Sequence, residues 1–264
     1  MSESLFASVG ILERSRKPRE RGITMLIDWG IGIHAQEDCL RLASPYIDLA
    51  KIAVGISALL NEEYLRRKIQ LYQEHKVNVF PGGQFLELAY KQGRVKEYLE
   101  AVQKVGYRTV EVSDNVIEIT AEEKARLIRL AQQGYDLQVL GEVGKKEIET
   151  TTTAAALIAD AHNCLDAGAW KVVVEAMELL QLDEREDTID QAVRALGIEN
   201  LIFELPGTWI EGVHRFDQRR MYLWLIKKFG PDVNIGNVEA VDITILEAAR
   251  RGLGPEGWPY EDSQ

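Results

Sequence analysis

Short apolar runs alternate with longer amphipathic segments along most of the chain. The runs predict buried strands, and the segments between them repeat apolar residues at helical spacing. The predicted strands cover residues 24–30, 48–57, 77–80, 108–117, 136–146, 170–175, 200–204 and 233–237. A helical pattern follows each of them, so the chain contains eight consecutive strand-then-helix units.

Local signals place several helix boundaries. Asn61 is a preferred N-cap residue, and Thr120 with Glu123 three positions later predicts a capping box. The segment 84–105 is predicted to be helical, with a break at Gly93. A long connection over residues 205–217 precedes a helix predicted at 219–229.

Eight alternating units predict a single (β/α)8 TIM barrel, because alternating elements form a parallel sheet and eight units close it. The length of 264 residues suits this α/β fold, which typically takes about 250. We expect a basic arm at residues 1–21, the barrel at 22–254 and a tail at 255–264. An open doubly wound sheet is the alternative, but the loop 30–34 lacks the third glycine of its phosphate-binding fingerprint.

Composition restricts the partners of the chain. A net charge of −11 argues against nucleic-acid binding, and an anionic substrate would need a local basic pocket. No apolar run approaches the roughly 20 residues of a membrane span, and no signal-peptide pattern is seen. We therefore expect a cytoplasmic protein with neither nucleic acid nor membrane as a partner. Cys39 and Cys164 are predicted to be buried helix residues.

The two ends of the chain have distinct compositions. The predicted arm ends in a basic cluster typical of a solvated tail: Arg14, Arg16, Lys17, Arg19 and Arg21. Near the C-terminus, Trp258-Pro259-Tyr260 is compatible with an interface in a homo-oligomer or with a loose end.

Charged and amide residues recur where the predicted strands end. They are Asp28, Lys51, Glu111, Asp114, Glu142, Lys145, Lys146, Glu175, Glu204, Asn234 and Asn237. In a barrel these positions converge at the C-terminal mouth, where the working site lies. A single such residue is explained by a frayed strand or an ion pair. Several carboxylates at one mouth require a cation or a shared proton, because like charges repel.

The types of residue at these strand ends favour a hard cation. Carboxylates with few histidines are typical of Mg²⁺, and of the four histidines only His34 follows a strand closely enough to reach the mouth. The lysines suit a small anionic substrate. Lys51, inside the second strand, is also a candidate for Schiff-base chemistry, and the residues alone leave electrostatic binding and covalent catalysis open.

The motifs in order along the chain resemble the phosphosulfolactate synthase family from about Lys17 to Leu253. The most specific stretches are GEVGKK at residues 141–146 and FGPDVNIGN at residues 229–237. The resemblance implies a lyase of the TIM-barrel fold that adds sulfite to phosphoenolpyruvate with Mg²⁺, a step towards coenzyme M.

The resemblance also implies roles for individual residues. The metal is expected to contact Asp28, Glu175 and Glu204. Catalysis is expected to involve Lys51, Lys145 and Glu142. The substrate is expected to contact Lys146, Ser113, Asp114, Gly236 and Asn237, and the long connection after the seventh strand adds Arg219 as a further candidate.

Some mouth positions depart from the family pattern. Trp29 stands where the family has a lysine, and Met177 stands where it has an arginine. Arg219 could replace a lost cation, since barrels often bind phosphate near strands seven and eight, or it could lie on a solvated helix face. Two alternatives follow: a divergent enzyme acting on a less charged substrate, or a non-catalytic, stress-associated barrel protein.

Overall fold

Eight parallel strands form the wall of the protein in the computed structural model, which describes residues 5, 6, 8–144, 153–180 and 182–253, without the side chains of 182–185. The strands are β1 (Thr24–Asp28), β2 (Leu49–Ile52), β3 (Asn78–Pro81), β4 (Thr109–Val112), β5 (Gln138–Val143), β6 (Lys171–Val174), β7 (Leu201–Glu204) and β8 (Ile235–Val238). They are ordered β3-β2-β1-β8-β7-β6-β5-β4. The end strands β3 and β4 lie side by side, and the Asn78 side chain donates to Thr109 Oγ1 at 2.6 Å. The predicted (β/α)8 barrel is therefore confirmed.

Helices surround the strands. They are α1 (Ile33–Ala43), α2 (Glu62–Glu74), α3 (Gly83–Lys91), α4 (Val95–Val105), α5 (Ala121–Arg129), α6 (Ala154–Asp166), α7 (Met177–Leu180), α8 (Leu182–Leu196), α9 (Arg215–Phe229) and α10 (Ile243–Arg250). A π-helical turn, Leu130–Gly134, extends α5, and short 3₁₀ turns occupy Ser44–Tyr46, Ile56–Leu59, Ile198–Asn200 and Ala240–Asp242. No helix among the described residues is both long enough and apolar enough to cross a bilayer.

The barrel interior is a packed apolar layer. Its members are Ile23, Met25, Leu49, Phe80, Leu140, Val173 and Ile202, all nearly inaccessible to solvent. Side chains alternate between the two faces of a strand, so the residue two positions further along points inward as well. Above this layer the inward positions become charged: Leu49 is followed by Lys51, Leu140 by Glu142 and Ile202 by Glu204.

The basic arm packs against the N-terminal end of the barrel. Arg14 forms an ion pair with Glu247 at 2.5 Å, and Arg19 Nη1 lies 3.0 Å from both carboxylate oxygens of Asp48. Lys17 donates to the carbonyl oxygens of Ser44 and Ile47. The expected solvated tail is therefore wrong for these three cations, because acceptors of the barrel, and not water alone, satisfy their charges. Arg16 and Arg21 are exposed, as a tail would have them.

Several element boundaries differ from the predicted ones. The helix expected at 219–229 begins at Arg215, because His214 and Asp217 form a reciprocal capping box there. The Thr120 side chain accepts from the Glu123 amide, but the Glu123 carboxylate bonds Arg126, so half of the expected box forms. The predicted break at Gly93 is confirmed, with helices α3 and α4 on either side of it.

Candidate active site

An ammonium group surrounded by three carboxylates lies at the C-terminal end of the barrel. Lys51 Nζ is 2.9 Å from Glu111 Oε1, 2.6 Å from Glu204 Oε1 and 4.0 Å from Glu142 Oε1. These side chains rise from β2, β4, β7 and β5, and each is at least nine-tenths buried. Convergence of strand ends at one mouth thus brings together residues 60 and 153 positions away from Lys51.

Burial and mutual charge determine the protonation of this cluster. Burial raises the pKa of Glu111 to about 8; Glu142 and Glu204 add to the rise, and the Lys51 ammonium opposes it. Burial alone would lower the pKa of Lys51, but the three carboxylates raise it well above its usual value. A Schiff base needs a neutral amine, which a lowered pKa would provide. The Schiff-base alternative for Lys51 is therefore not supported in this arrangement.

The cluster opens into a cavity of about 440 Å³. Its lining combines the four charged residues with Glu175, Asn237 and three large apolar side chains, Trp29, Met177 and Trp209. Trp29 and Trp209 are 42% and 40% exposed, and their ring centroids are 4.9 Å apart. The mouth is therefore acidic at its floor and aromatic at its rim.

The floor of the cavity has the donor set of a site for a hard cation. One carboxylate oxygen each from Glu111, Glu142 and Glu204 can be chosen so that all three lie within 4.8 Å of one another. When all three carboxylates are ionised, their charge exceeds that of the single ammonium, and a divalent cation would neutralise the excess. Carboxylate oxygens are also the ligands that Mg²⁺ and Mn²⁺ prefer. The residues present fit such an ion.

Asp28 does not join these carboxylates, contrary to its expected role as a metal ligand. Ile27, the residue before it on β1, lines the cavity. Because side chains alternate along a strand, the Asp28 side chain points to the opposite side, towards the helices. There it lies 2.6 Å from Lys68 Nζ and accepts from the Tyr72 hydroxyl at 2.7 Å. Its other oxygen accepts from the backbone amides of residues 30 and 31. Asp28 therefore fixes the loop that carries Trp29.

Two other predicted site residues do lie at the mouth. Glu175 lines the cavity and accepts from the Asn115 side chain at 3.0 Å. Asn237 also lines it, in a left-handed conformation with φ +55°, and its buried Oδ1 has no hydrogen-bond partner among the described residues. The predicted substrate contact Gly236 instead faces the packed barrel interior, where a Cβ would stand 2.4 Å from Met25 Cε, and it does not line the cavity.

The remaining predicted contacts lie elsewhere. Ser113 donates to Glu87, and Asp114 pairs with Lys124 at 2.9 Å, so the structure places neither of them in the lining of the cavity. Arg219 lines a separate cavity between α9 and α10. Lys145 and Lys146 lie outside the described residues, as does the Trp258-Pro259-Tyr260 segment.

Two residues have prominent places in the site that the motifs along the chain do not predict. Glu111 lies at a strand end, and strand alternation directs its side chain inward together with that of Thr109. Trp209 follows β7 by several residues, and nothing in its local sequence signals that its ring meets Trp29. Its position depends on the folded path of the loop before α9.

Comparison with known proteins identifies the family. The model of the family described as (2R)-phospho-3-sulfolactate synthase (ComA) matches residues 12–255. Phosphosulfolactate synthase from Methanothermobacter thermautotrophicus is 35% identical over 255 residues, covering 91% of this chain and 92% of that protein. The Methanocaldococcus jannaschii phosphosulfolactate synthase is 32% identical over 244 residues, covering 89% and 92%.

A more distant relative has a different kind of name. Protein HEAT-STRESS-ASSOCIATED 32 from Arabidopsis thaliana is 25% identical over 275 residues, covering 92% of this chain and 91% of that protein. The family model and the relatives above 30% identity span nearly the whole barrel, including the strands that carry Lys51 and its three glutamates. The chain therefore belongs to the phosphosulfolactate synthase family.

Proposed function

We propose that this chain catalyses the addition of sulfite to phosphoenolpyruvate, forming phosphosulfolactate. The observation that carries the proposal is the cluster of Lys51 with Glu111, Glu142 and Glu204 at the barrel mouth, in a member of this family. The reaction needs a proton donor and a site that stabilises an enolate-like charge. The cluster supplies candidates for both within one buried site.

The addition sets clear chemical demands. The sulfur of sulfite forms a bond to the terminal carbon of the enol as the carbon–carbon π bond breaks. The π electron pair moves towards the neighbouring carbon and the carboxylate, and that carbon then takes a proton. Among the described residues that line the cavity, Lys51 alone carries a cationic proton donor, and we assign it this transfer.

Glu111, Glu142 and Glu204 would hold Mg²⁺. When bound, the ion would supply Lewis-acid stabilisation to the substrate carboxylate and enolate oxygens. Neutralisation of these carboxylates would also remove the charges that raise the pKa of Lys51, so that its ammonium becomes a better proton donor. The same carboxylates thus serve the metal and tune Lys51.

The proposal is tested by following phosphoenolpyruvate consumption with and without sulfite, and with and without Mg²⁺. We expect turnover only when all components are present, and a loss of more than about 100-fold in Glu204→Gln, which removes one charged ligand. Absence of sulfite-dependent turnover under all conditions would reject the reaction. A non-catalytic role additionally predicts no thermal stabilisation by Mg²⁺, because a ligand bound by the folded state alone must raise the unfolding temperature.

The rim of the cavity favours a second candidate substrate. Trp29, Trp209 and Met177 present apolar surface where a highly anionic substrate would need cations. Such a rim suits a bulkier and less charged enol or acid. Calorimetry with phosphorylated and unphosphorylated acids separates the candidates, and tight binding of phosphoenolpyruvate alone would eliminate the second.

The double variant Trp29→Lys plus Met177→Arg is expected to tighten phosphoenolpyruvate binding by at least about tenfold. Each substitution adds a cation to the rim, and a charge-assisted contact to an anion contributes about 1.5–3 kcal/mol. The measurement is the dissociation constant of phosphoenolpyruvate by calorimetry. Leu42→Lys on the exposed surface of α1 is the matched control for added charge. Equal affinity in wild type and double variant would show that the rim does not limit anion binding.

A further inference from the structure

Helix α3 begins in direct contact with the candidate active site. The backbone N–H of Gly83, its first residue, donates to Glu111 Oε2 at 2.7 Å. A Cβ at Gly83 would stand 2.4 Å from Ser113 Oγ and 2.9 Å from Ser113 Cβ. Only glycine therefore lets α3 approach β4 this closely. The first turn of α3 therefore contacts both Glu111 and the end of β4.

Glu87, four residues further along α3, holds the segment that follows β4. Its side chain is buried, and its carboxylate accepts from the Ser113 hydroxyl and from three backbone amides. The amide donors are Asn115 at 3.2 Å, Val116 at 2.8 Å and Ile117 at 3.0 Å. This segment belongs to neither helix nor strand, so its amides need other acceptors. An ionised carboxylate has about four acceptor positions, and these four donors use them.

The segment held by Glu87 contacts the mouth through one side chain. Asn115 Nδ2 donates to Glu175 Oε2 at 3.0 Å, while Glu175 Oε1 accepts from the amide of Ala176 at 3.1 Å. Both oxygens of Glu175 therefore have directed contacts, and its carboxylate lines the cavity at 5% exposure. Asn115 does not itself line the cavity. Its effect on a ligand must pass through Glu175.

We propose that Glu87 is a positioning residue that fixes the Glu175 carboxylate in the mouth through Asn115. The carboxylate of Glu87 sets the backbone of Asn115, and the Asn115 amide sets the orientation of Glu175. Helix α3 thereby orients two acidic groups of one site, Glu111 through the Gly83 amide and Glu175 through Glu87. The catalytic consequence rests on the proposed function, whereas the chain of contacts does not.

Two substitutions interrupt this chain at different points. Glu87→Gln keeps the size of the side chain but turns an amide NH₂ towards amide donors. Asn115→Ala removes the bond to Glu175 and leaves Glu87 unchanged. The double variant completes a double-mutant cycle. If the two residues act through one chain of contacts, the effects of the two single substitutions will not add. Glu100→Gln, at an exposed position of α4, is the matched control for loss of a helical carboxylate.

The first readout is the ¹³C carboxyl resonance of Glu175 at a fixed pH, assigned by its loss in Glu175→Gln. We expect Glu87→Gln and Asn115→Ala to shift this resonance in the same direction, with no further shift in the double variant. The second readout is steady-state kinetics of sulfite addition. Each single variant should lower kcat by about 10- to 100-fold, the usual cost of losing a group that orients an active-site residue, and Glu100→Gln should not.

A different pattern would overturn the proposal. If Glu87→Gln accelerates hydrogen exchange of amides 115–117 but leaves the Glu175 resonance unchanged, Glu87 supports the loop alone. If Glu87→Gln does not fold, Asn115→Ala decides by itself, because an unchanged Glu175 resonance there breaks the chain of contacts. Absence of sulfite-dependent turnover in the wild type would reject the proposed reaction, and the resonance would still decide the positioning role.

Discussion

Lys51→Met is expected to abolish measurable turnover and to lower the free energy of unfolding by about 3–5 kcal/mol. The ammonium of Lys51 is the shared partner of Glu111, Glu142 and Glu204, with its side chain only 10% exposed. Methionine has a similar length but no charge, so the variant leaves buried carboxylates facing one another. Their repulsion and their lost hydrogen bonds both destabilise the folded state.

The sign of the pH dependence makes this prediction specific. Protonation of the carboxylates relieves their repulsion, so Lys51→Met should be least destabilised near pH 5 and most destabilised above pH 8. Denaturant unfolding of the metal-free protein at several pH values measures this difference. Lys104→Met, which breaks the exposed pair of Lys104 with Glu62, is the control and should leave the stability nearly unchanged, because solvent screens that pair. If Lys51→Met were as stable as the wild type at pH 8, Lys51 would not be the stabilising partner of the three glutamates.

The barrel was predictable because its signals are local. Each strand and helix has its own apolar period, and the parallel order follows from their alternation. Convergence of the strand ends followed from the same topology, which placed Lys51, Glu142 and Glu204 at one mouth. These residues lie far apart in sequence, yet the fold class alone was sufficient to group them.

The position of a residue at a strand end does not tell whether its side chain points into the barrel or towards the helices. On β1, Ile23 and Met25 point into the barrel, so Asp28 is out of phase with the inward face. On β4, Glu111 is in phase with the inward face and joins the cluster. Counting in steps of two from Met25 would have excluded Asp28. On β4 the apolar residues Val110 and Val112 lie in the outer core, so Glu111 alternates with them and points inward.

Other features arise from contacts that no local pattern encodes. The solvated-tail composition of the arm gave no sign that Arg14 pairs with Glu247, because these residues are 233 positions apart. Glu87 lies within an ordinary amphipathic helix, and its role depends on the close approach that Gly83 allows. Such roles depend on packing between helices and strands. They can be assigned only when the positions of these elements are known.

Metal binding is expected to displace a proton from Glu111, so that the affinity for Mn²⁺ or Mg²⁺ rises about tenfold per pH unit below pH 8 and levels off above it. The pKa of Glu111 is raised to about 8 in the folded protein, from an ordinary value of 4.5. At pH 6 to 7 the site is therefore mostly protonated at Glu111, and the ion must compete with that proton. Isothermal calorimetry in buffers of different ionisation enthalpy counts the protons released.

We expect about one proton released per ion at pH 6.5 and almost none at pH 9.

The raised pKa of Glu111 also determines how the stability of the metal-free protein changes with pH. Glu111 contributes stability fully below its unfolded pKa of about 4.5, and this contribution is lost as the pH rises through 8. Metal-free protein should therefore be less stable at pH 8 than at pH 5, and saturating Mn²⁺ should reverse the difference. Glu111→Gln cannot ionise, so it should bind Mn²⁺ more weakly and without proton release. Undiminished, pH-dependent binding in that variant would place the ion elsewhere.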